Sequence, residues 1–146
     1  MKIKSIYFQT LICIVILSFT ISCSKSSGGT GSTPTPPPPA PVEETIAFTI
    51  DIDPGSSVYP ALGAAQDAKI TLSSKMPTAG ITVDIVVKKD LDNTTVSSGT
   101  YSSSLSPFTA TISNLTPGVL CTATFIVTSK TTTSNSGVKT FKLARK

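Results

Sequence analysis

Between residues 81 and 88 the chain sets Ile81, Val83, Ile85 and Val87 at every second position, against Thr82, Asp84, Val86 and Lys88. Successive side chains of a strand point to opposite faces, so a period of two gives one apolar face, whereas a helical turn would scatter the same residues. The period recurs. Ile46, Phe48, Ile50 and Ile52 alternate with Ala47, Thr49 and Asp51, and Ala68, Ile70 and Leu72 alternate with Lys69, Thr71 and Ser73. Cys121, Ala123, Phe125 and Val127 form one face of a further strand, Phe108, Ala110 and Ile112 mark another, Val138 to Leu143 reads as the last, and Val96 to Tyr101 as a short edge segment. Turn-forming residues separate these runs: Asp53-Pro-Gly-Ser-Ser57 with a loop through Gly63, Met76-Pro-Thr-Ala-Gly80, Asp90-Leu-Asp-Asn-Thr94, Asn114-Leu-Thr-Pro-Gly118, and Thr131 to Gly137. Short strands, polar turns and no helical period predict an all-β fold, a single antiparallel β-sandwich of about seven strands.

The sandwich is expected over residues 42–146, because the chain before Val42 is built differently. From Pro34 to Pro41 it is nearly all proline, and from Ser24 to Thr33 it is Gly, Ser and Thr with one Lys. Neither half can bury apolar surface or hold a helix, so residues 23–41 read as a disordered linker, flexible first and then stiff. A polyproline II stretch rises about 3.1 Å per residue, which gives the proline half a reach of roughly 25 Å. The remaining length, about a hundred residues, suffices for one core without disulfides or metals.

At the N-terminus Lys2 and Lys4 precede an apolar run from Leu11 to Leu17, and the small or polar Ser18, Thr20 and Ser22 follow. A positive n-region, a short apolar h-region and small residues before a cleavage point are the parts of a secretory signal, here residues 1–22. Gln9 and Thr10 interrupt the stretch, which falls short of the about 20 apolar residues that a spanning helix needs. The segment Phe19-Thr-Ile-Ser-Cys23 resembles the lipobox of bacterial lipoproteins, with Thr20 where that family usually has Leu. The resemblance implies diacylation of the Cys23 thiol and cleavage before it, making Cys23 the site of a lipid anchor and the membrane a partner. Two or three acyl chains hold a protein stably, where one is marginal. Ser24 after the Cys is not the Asp that the family uses for inner-membrane retention, so the resemblance implies a cell-envelope, outer-membrane location, periplasmic or surface-facing.

A second resemblance lies in Leu115-Thr-Pro117-Gly-Val-Leu-Cys121-Thr-Ala-Thr-Phe125. It is similar to the segment entering strand F of fibronectin type III domains, which reads Leu-x-Pro, three residues, then Tyr. Cys121 stands where that family has the Tyr, and the chain has no Trp. The match spans roughly residues 108 to 143 and implies a fibronectin type III-like or immunoglobulin-like sandwich.

Chemistry is sparsely supplied. The chain has no His, so the commonest general base and metal ligand is missing, and no basic residue adjoins Cys121 to activate it. With Cys13 leaving in the signal and Cys23 acylated, Cys121 is expected to be buried, unpaired and inert. Asp51-x-Asp53 and Asp90-x-Asp92-Asn93 read as turn and strand-edge residues rather than calcium ligands, and Asn93 and Asn114, both in glycosylation-type sequons, as turn residues. Leaving out Lys2 and Lys4, ten Lys and Arg face eight Asp and Glu, a balance that points to no partner. Lys139, Lys142, Arg145 and Lys146 read as a solvated edge strand with a frayed tail, with no aromatic platform for nucleic acid.

The sequence therefore points to a non-catalytic, lipid-anchored module that presents a small sandwich, binding protein or glycan at the loops of one end. No catalytic, cofactor-binding or metal residues are assigned, and no cofactor is expected. A glycan-binding accessory protein is the alternative, with Tyr59 and Tyr101 as the candidate exposed aromatics; a hydrolase would need a site assembled from Ser, Asp and Lys alone, and their spacing suggests none.

Overall fold

In the computed structural model, which describes residues 42–146, the period-two runs become strands whose apolar faces meet. Their order is β1 (Phe48–Ile50), β2 (Val58–Ala61), β3 (Gln66–Leu72), β4 (Ile81–Lys89), β5 (Thr95–Ser103), β6 (Phe108–Ile112), β7 (Leu120–Ser129) and β8 (Ser136–Arg145). The signal peptide, Cys23 and the linker lie outside the described residues. β1, β3 and β6 form one sheet in the order β1-β3-β6, and the other five form the second in the order β2-β8-β7-β4-β5. Ile81, Val83, Ile85 and Val87 are buried, as are Cys121, Ala123, Phe125 and Val127 opposite them, while Ile46, Phe48, Ile50, Ala68, Ile70, Ala110 and Ile112 close the core from the smaller sheet. The Phe125 and Phe141 rings stack at its centre, centroids 5.7 Å apart, within the spacing at which aromatic pairs add to simple burial. The chain is all-β, two sheets packed face to face in a sandwich-like fold.

Two expectations are corrected. The described residues form eight strands rather than seven, because residues 58–61, expected as loop, are β2. β2 also runs parallel to β8, pairing Val58 with Lys142 and Ala61 with Arg145, so the sandwich is not wholly antiparallel. The local pattern hides this strand. Only Ala61 of its four residues is buried and Pro60 argues against a ladder, so its existence depends on a partner more than eighty residues away. The first strand is also shorter than its alternation. Ile46 and Ile52 are buried, but the Ile46 amide donates to the Asn135 side chain and Asp51 begins a turn, which leaves three residues in the ladder.

The C-terminal basic residues need correcting as well. β8 is not an edge strand over its second half, since β2 covers it, and the Lys146 amide donates to the Ala61 carbonyl at 3.1 Å instead of fraying. The cluster is dispersed: Lys139 pairs with Asp53 at 3.6 Å, Lys142 with Asp90 at 2.6 Å, and the Arg145 guanidinium donates to the Leu115 carbonyl at 3.2 Å.

Candidate functional site

The strand directions sort the loops into two groups. Residues 42–46, through which the described chain begins, share one end with the β3–β4, β5–β6 and β7–β8 connections; this is the near end. At the far end lie the β2–β3, β4–β5 and β6–β7 connections, residues 62–65, 90–94 and 113–119. Backbone hydrogen bonds fix these loops to the sheet and to each other: Leu115 N to Ala64 O, Gly118 N to Arg145 O and Asp90 N to Leu120 O, all within 3.0 Å. Gly118 and Asn114 both take positive φ, 71° and 60°, which lets the corner turn tightly enough to reach β8.

Along the far rim of the larger sheet, strand order places Leu62, Lys146, Leu120 and Leu91 one after another. Leu62 is 85% exposed and Leu91 95%. Strands are about 4.8 Å apart, so the row spans roughly 15 Å. Beneath it, on the outer face of β4 and β7, lies a concavity of about 350 Å³ lined by Val86, Lys88, Lys89, Asp90, Asn93, Thr122 and Thr124. Asp90 is its anchor. Lys142 Nζ reaches its Oδ2 and the Thr122 hydroxyl donates to its Oδ1, both at 2.6 Å, and the bond from Lys142 holds the Asp90 carboxyl below its ordinary range. Asp92 is also held low, by the Thr94 amide that donates to its Oδ1 and so shapes the β4–β5 turn. The combination is a polar recess beside an apolar rim.

The residues singled out in the sequence fall mostly into structural positions. Cys121 is 1% exposed and unpaired, faces the core with Ala123 and Phe125, and has its thiol pushed up by burial. Asp51 accepts the Lys69 amide and Asp53 the Gly55 amide, so both carboxylates serve strand and turn. Asn93 and Asn114 occupy left-handed turn positions with φ near 60°, as their turn reading requires. Tyr59 and Tyr101 are half-buried and pack on the core, Tyr101 with its hydroxyl donating to the Thr111 carbonyl, and neither stands out as a stacking platform. Cys23 lies outside the described residues.

Sequence reasoning missed the far-rim leucines and one buried polar group. Ser129 is fully buried at the near end; its hydroxyl accepts the Thr131 and Thr132 amides and donates to Glu43. Its place on the inward face was readable from the alternation, but its partner, Glu43, lies too far away in sequence to be inferred. The leucines carried a weaker signal, an apolar residue inside a polar turn at Leu91 and after a strand at Leu62. No protein-family model, curated protein or solved structure matches the chain.

Proposed function

We propose that this chain is a non-catalytic lipoprotein of the bacterial cell envelope, anchored to the outer membrane through acylated Cys23, whose sandwich docks a partner protein at the far-end loops. The observation that carries this reading is polarity of placement: the chain joins the domain at the near end, while Leu62, Leu91 and Leu120 line the rim of the opposite one. Exposed apolar side chains held in one row on fastened loops form a patch, and such patches mark contact surfaces. The domain is an immunoglobulin-like or fibronectin type III-like sandwich on this reading. Support comes from the strand orders β1-β3-β6 and β2-β8-β7-β4-β5, which correspond to A-B-E and A′-G-F-C-C′ of that architecture. A protein partner is preferred to a glycan because both candidate tyrosines are spent on packing.

Two measurements test the reading. Cys23→Ser should abolish incorporation of a fatty-acid analogue and release the protein from the outer membrane; retained label with retained partitioning removes the anchor from the proposal. A photoreactive residue at Leu62 or Leu91 should cross-link to one protein in intact cells while the same residue at Leu105, near the opposite end, does not. Equal capture from both ends overturns the assignment of the far rim.

A further inference from the structure

Besides the first half of β8, which β2 leaves unpaired and which carries Lys139, four edge strands bound the two sheets, and three of them are closed. β1 is three residues long, and β2 is four and carries Pro60, so neither offers a ladder of free backbone. The edge of β6 is covered from across the sandwich: the Tyr101 hydroxyl donates to the Thr111 carbonyl, and the Ser113 amide just beyond the strand donates to the Ser97 hydroxyl. The fourth edge is β5, nine residues long and paired with β4 alone. It contains no Lys, Arg, Asp, Glu or Pro, and among the described residues no hydrogen bond outside the β4 ladder reaches its backbone. Its single irregularity, a register shift opposite Val87 and Lys88, lies near its start and leaves Ser97 to Ser103 regular. Sheet proteins normally block such an edge with charge, proline or a covering element.

We propose that β5 pairs with β5 of a second copy of this chain, antiparallel about a two-fold axis at Thr100, merging the two larger sheets. The axis follows from overlap, because Thr100 is the middle of the regular stretch. That register sets Ser98 against Ser102 of the other copy and Thr100 against its own counterpart on the outer face, hydroxyl pairs of the kind that support cross-strand pairing. No charge opposes itself. The nearest carboxylate on that face, Asp84, accepts the Thr100 hydroxyl at 2.6 Å from one strand further in. The two Asp84 side chains would therefore stand about three strand spacings apart, roughly 14 Å, beyond the ~10 Å screening length at 0.1 M salt. A two-fold pairing also closes after two copies, which an edge joined to an unrelated strand need not do. Each copy contributes one strand to the contact, so association is weak and concentration-dependent.

The test uses the full chain in detergent, its mass followed by sedimentation over a wide concentration range. The wild type is expected to shift from monomer to dimer, whereas the double variant Ser98→Lys, Ser102→Lys stays monomeric, as does Ser98→Glu, Ser102→Glu. These positions are exposed, so melting should be unchanged in both variants, and an equimolar mixture of the two should regain the dimer mass. Independently, Thr100→Cys should oxidise to a dimer linked through residue 100, since directly opposed strand residues have Cα atoms about 4.5–5.5 Å apart, inside disulfide range. A wild type that stays monomeric throughout, charge variants that dimerise like it, a mixture that fails to re-form the dimer, or the absence of a residue-100 link each overturns the pairing.

Discussion

Cys121 shows how far a single residue can be read. Its parity with Ala123, Phe125 and Val127 fixes its face, and the structure buries it there, its thiol 3.8 Å from the Val119 carbonyl. The thiolate is the reactive form, and burial raises the thiol pKa, so little of it exists at neutral pH. A thiol reagent should leave Cys121 unmodified in the folded chain and label it fully in denaturant; rapid labelling of the native protein would contradict the assigned facing. Cys121→Ser places a shorter, more polar hydroxyl beside Leu143 and Ala123, where the one acceptor the thiol reaches is the Val119 carbonyl at 3.8 Å, and the poorly matched burial should cost about 1 to 3 kcal/mol in denaturant unfolding. The same residue also shows where the fibronectin comparison stops being informative. A tyrosine hydroxyl ties the corner in that family, and here Arg145 donates to the Leu115 carbonyl of the corner from the end of β8. Nothing in the local sequence of 114–121 announces that substitute, because it arrives from the far end of the chain.

At the level of elements, legibility followed burial. β4 and β7 read cleanly because both bury one whole face against the other sheet, so their alternation is complete over nine and ten residues. β2 carries no local signal because it buries one side chain, and the alternation shows only Val96 to Tyr101 of β5 because the strand's inward positions are Ser97, Gly99 and Tyr101 rather than aliphatics. The candidate site was less legible still: exposed leucines in turns have no period, and only the three-dimensional order of strands makes a row of them. Turns divide in the same way between local and tertiary causes. Gly55 and Gly80 both have positive φ, 68° and 81°, as their Pro-Gly and Ala-Gly contexts suggest. A Cβ at Gly55 would meet nothing within 4 Å, while one at Gly80 would come within 2.5 Å of the Ser103 carbonyl oxygen. Gly55→Ala should therefore cost only the left-handed strain of about 1 to 2 kcal/mol. Gly80→Ala adds a backbone collision between the β3–β4 turn and the end of β5, and should lose clearly more. Equal losses in the two variants, measured by denaturant unfolding, would show that the turn yields and that the close approach is not fixed by packing.

For the molecule as a whole, the question is how the domain holds its first described residues. Residues 42–46 contribute little to the ladders, yet they are fastened: the Ser129 hydroxyl donates to Glu43 Oε1 at 2.8 Å, Asn135 Nδ2 to Glu43 Oε2 at 3.1 Å and to the Glu44 carbonyl at 2.8 Å, and the Ile46 amide to Asn135 Oδ1 at 2.9 Å. Gly137 completes the clasp, since a Cβ there would come within 2.9 Å of the Ile46 carbonyl oxygen. These bonds fasten the chain ahead of β1. The Ser129 hydroxyl bond, with those from Asn135 and Thr132, outweighs desolvation and holds the Glu43 carboxyl below its ordinary range. A lowered carboxyl stabilises the fold fully above its unfolded value, about 4.3, and that contribution disappears as the pH falls through the lowered value. Glu43→Gln, which keeps the shape without the charge, should melt below the wild type at pH 7, and the gap should narrow and close as the pH is taken from about 5 toward 2. Asp90 and Asp92 titrate in the same acid range but are present in both proteins, so they cancel in the difference. A gap that stays constant across that range would mean that Glu43 acts through packing alone, and that its charge contributes nothing to holding residues 42–46 on the domain.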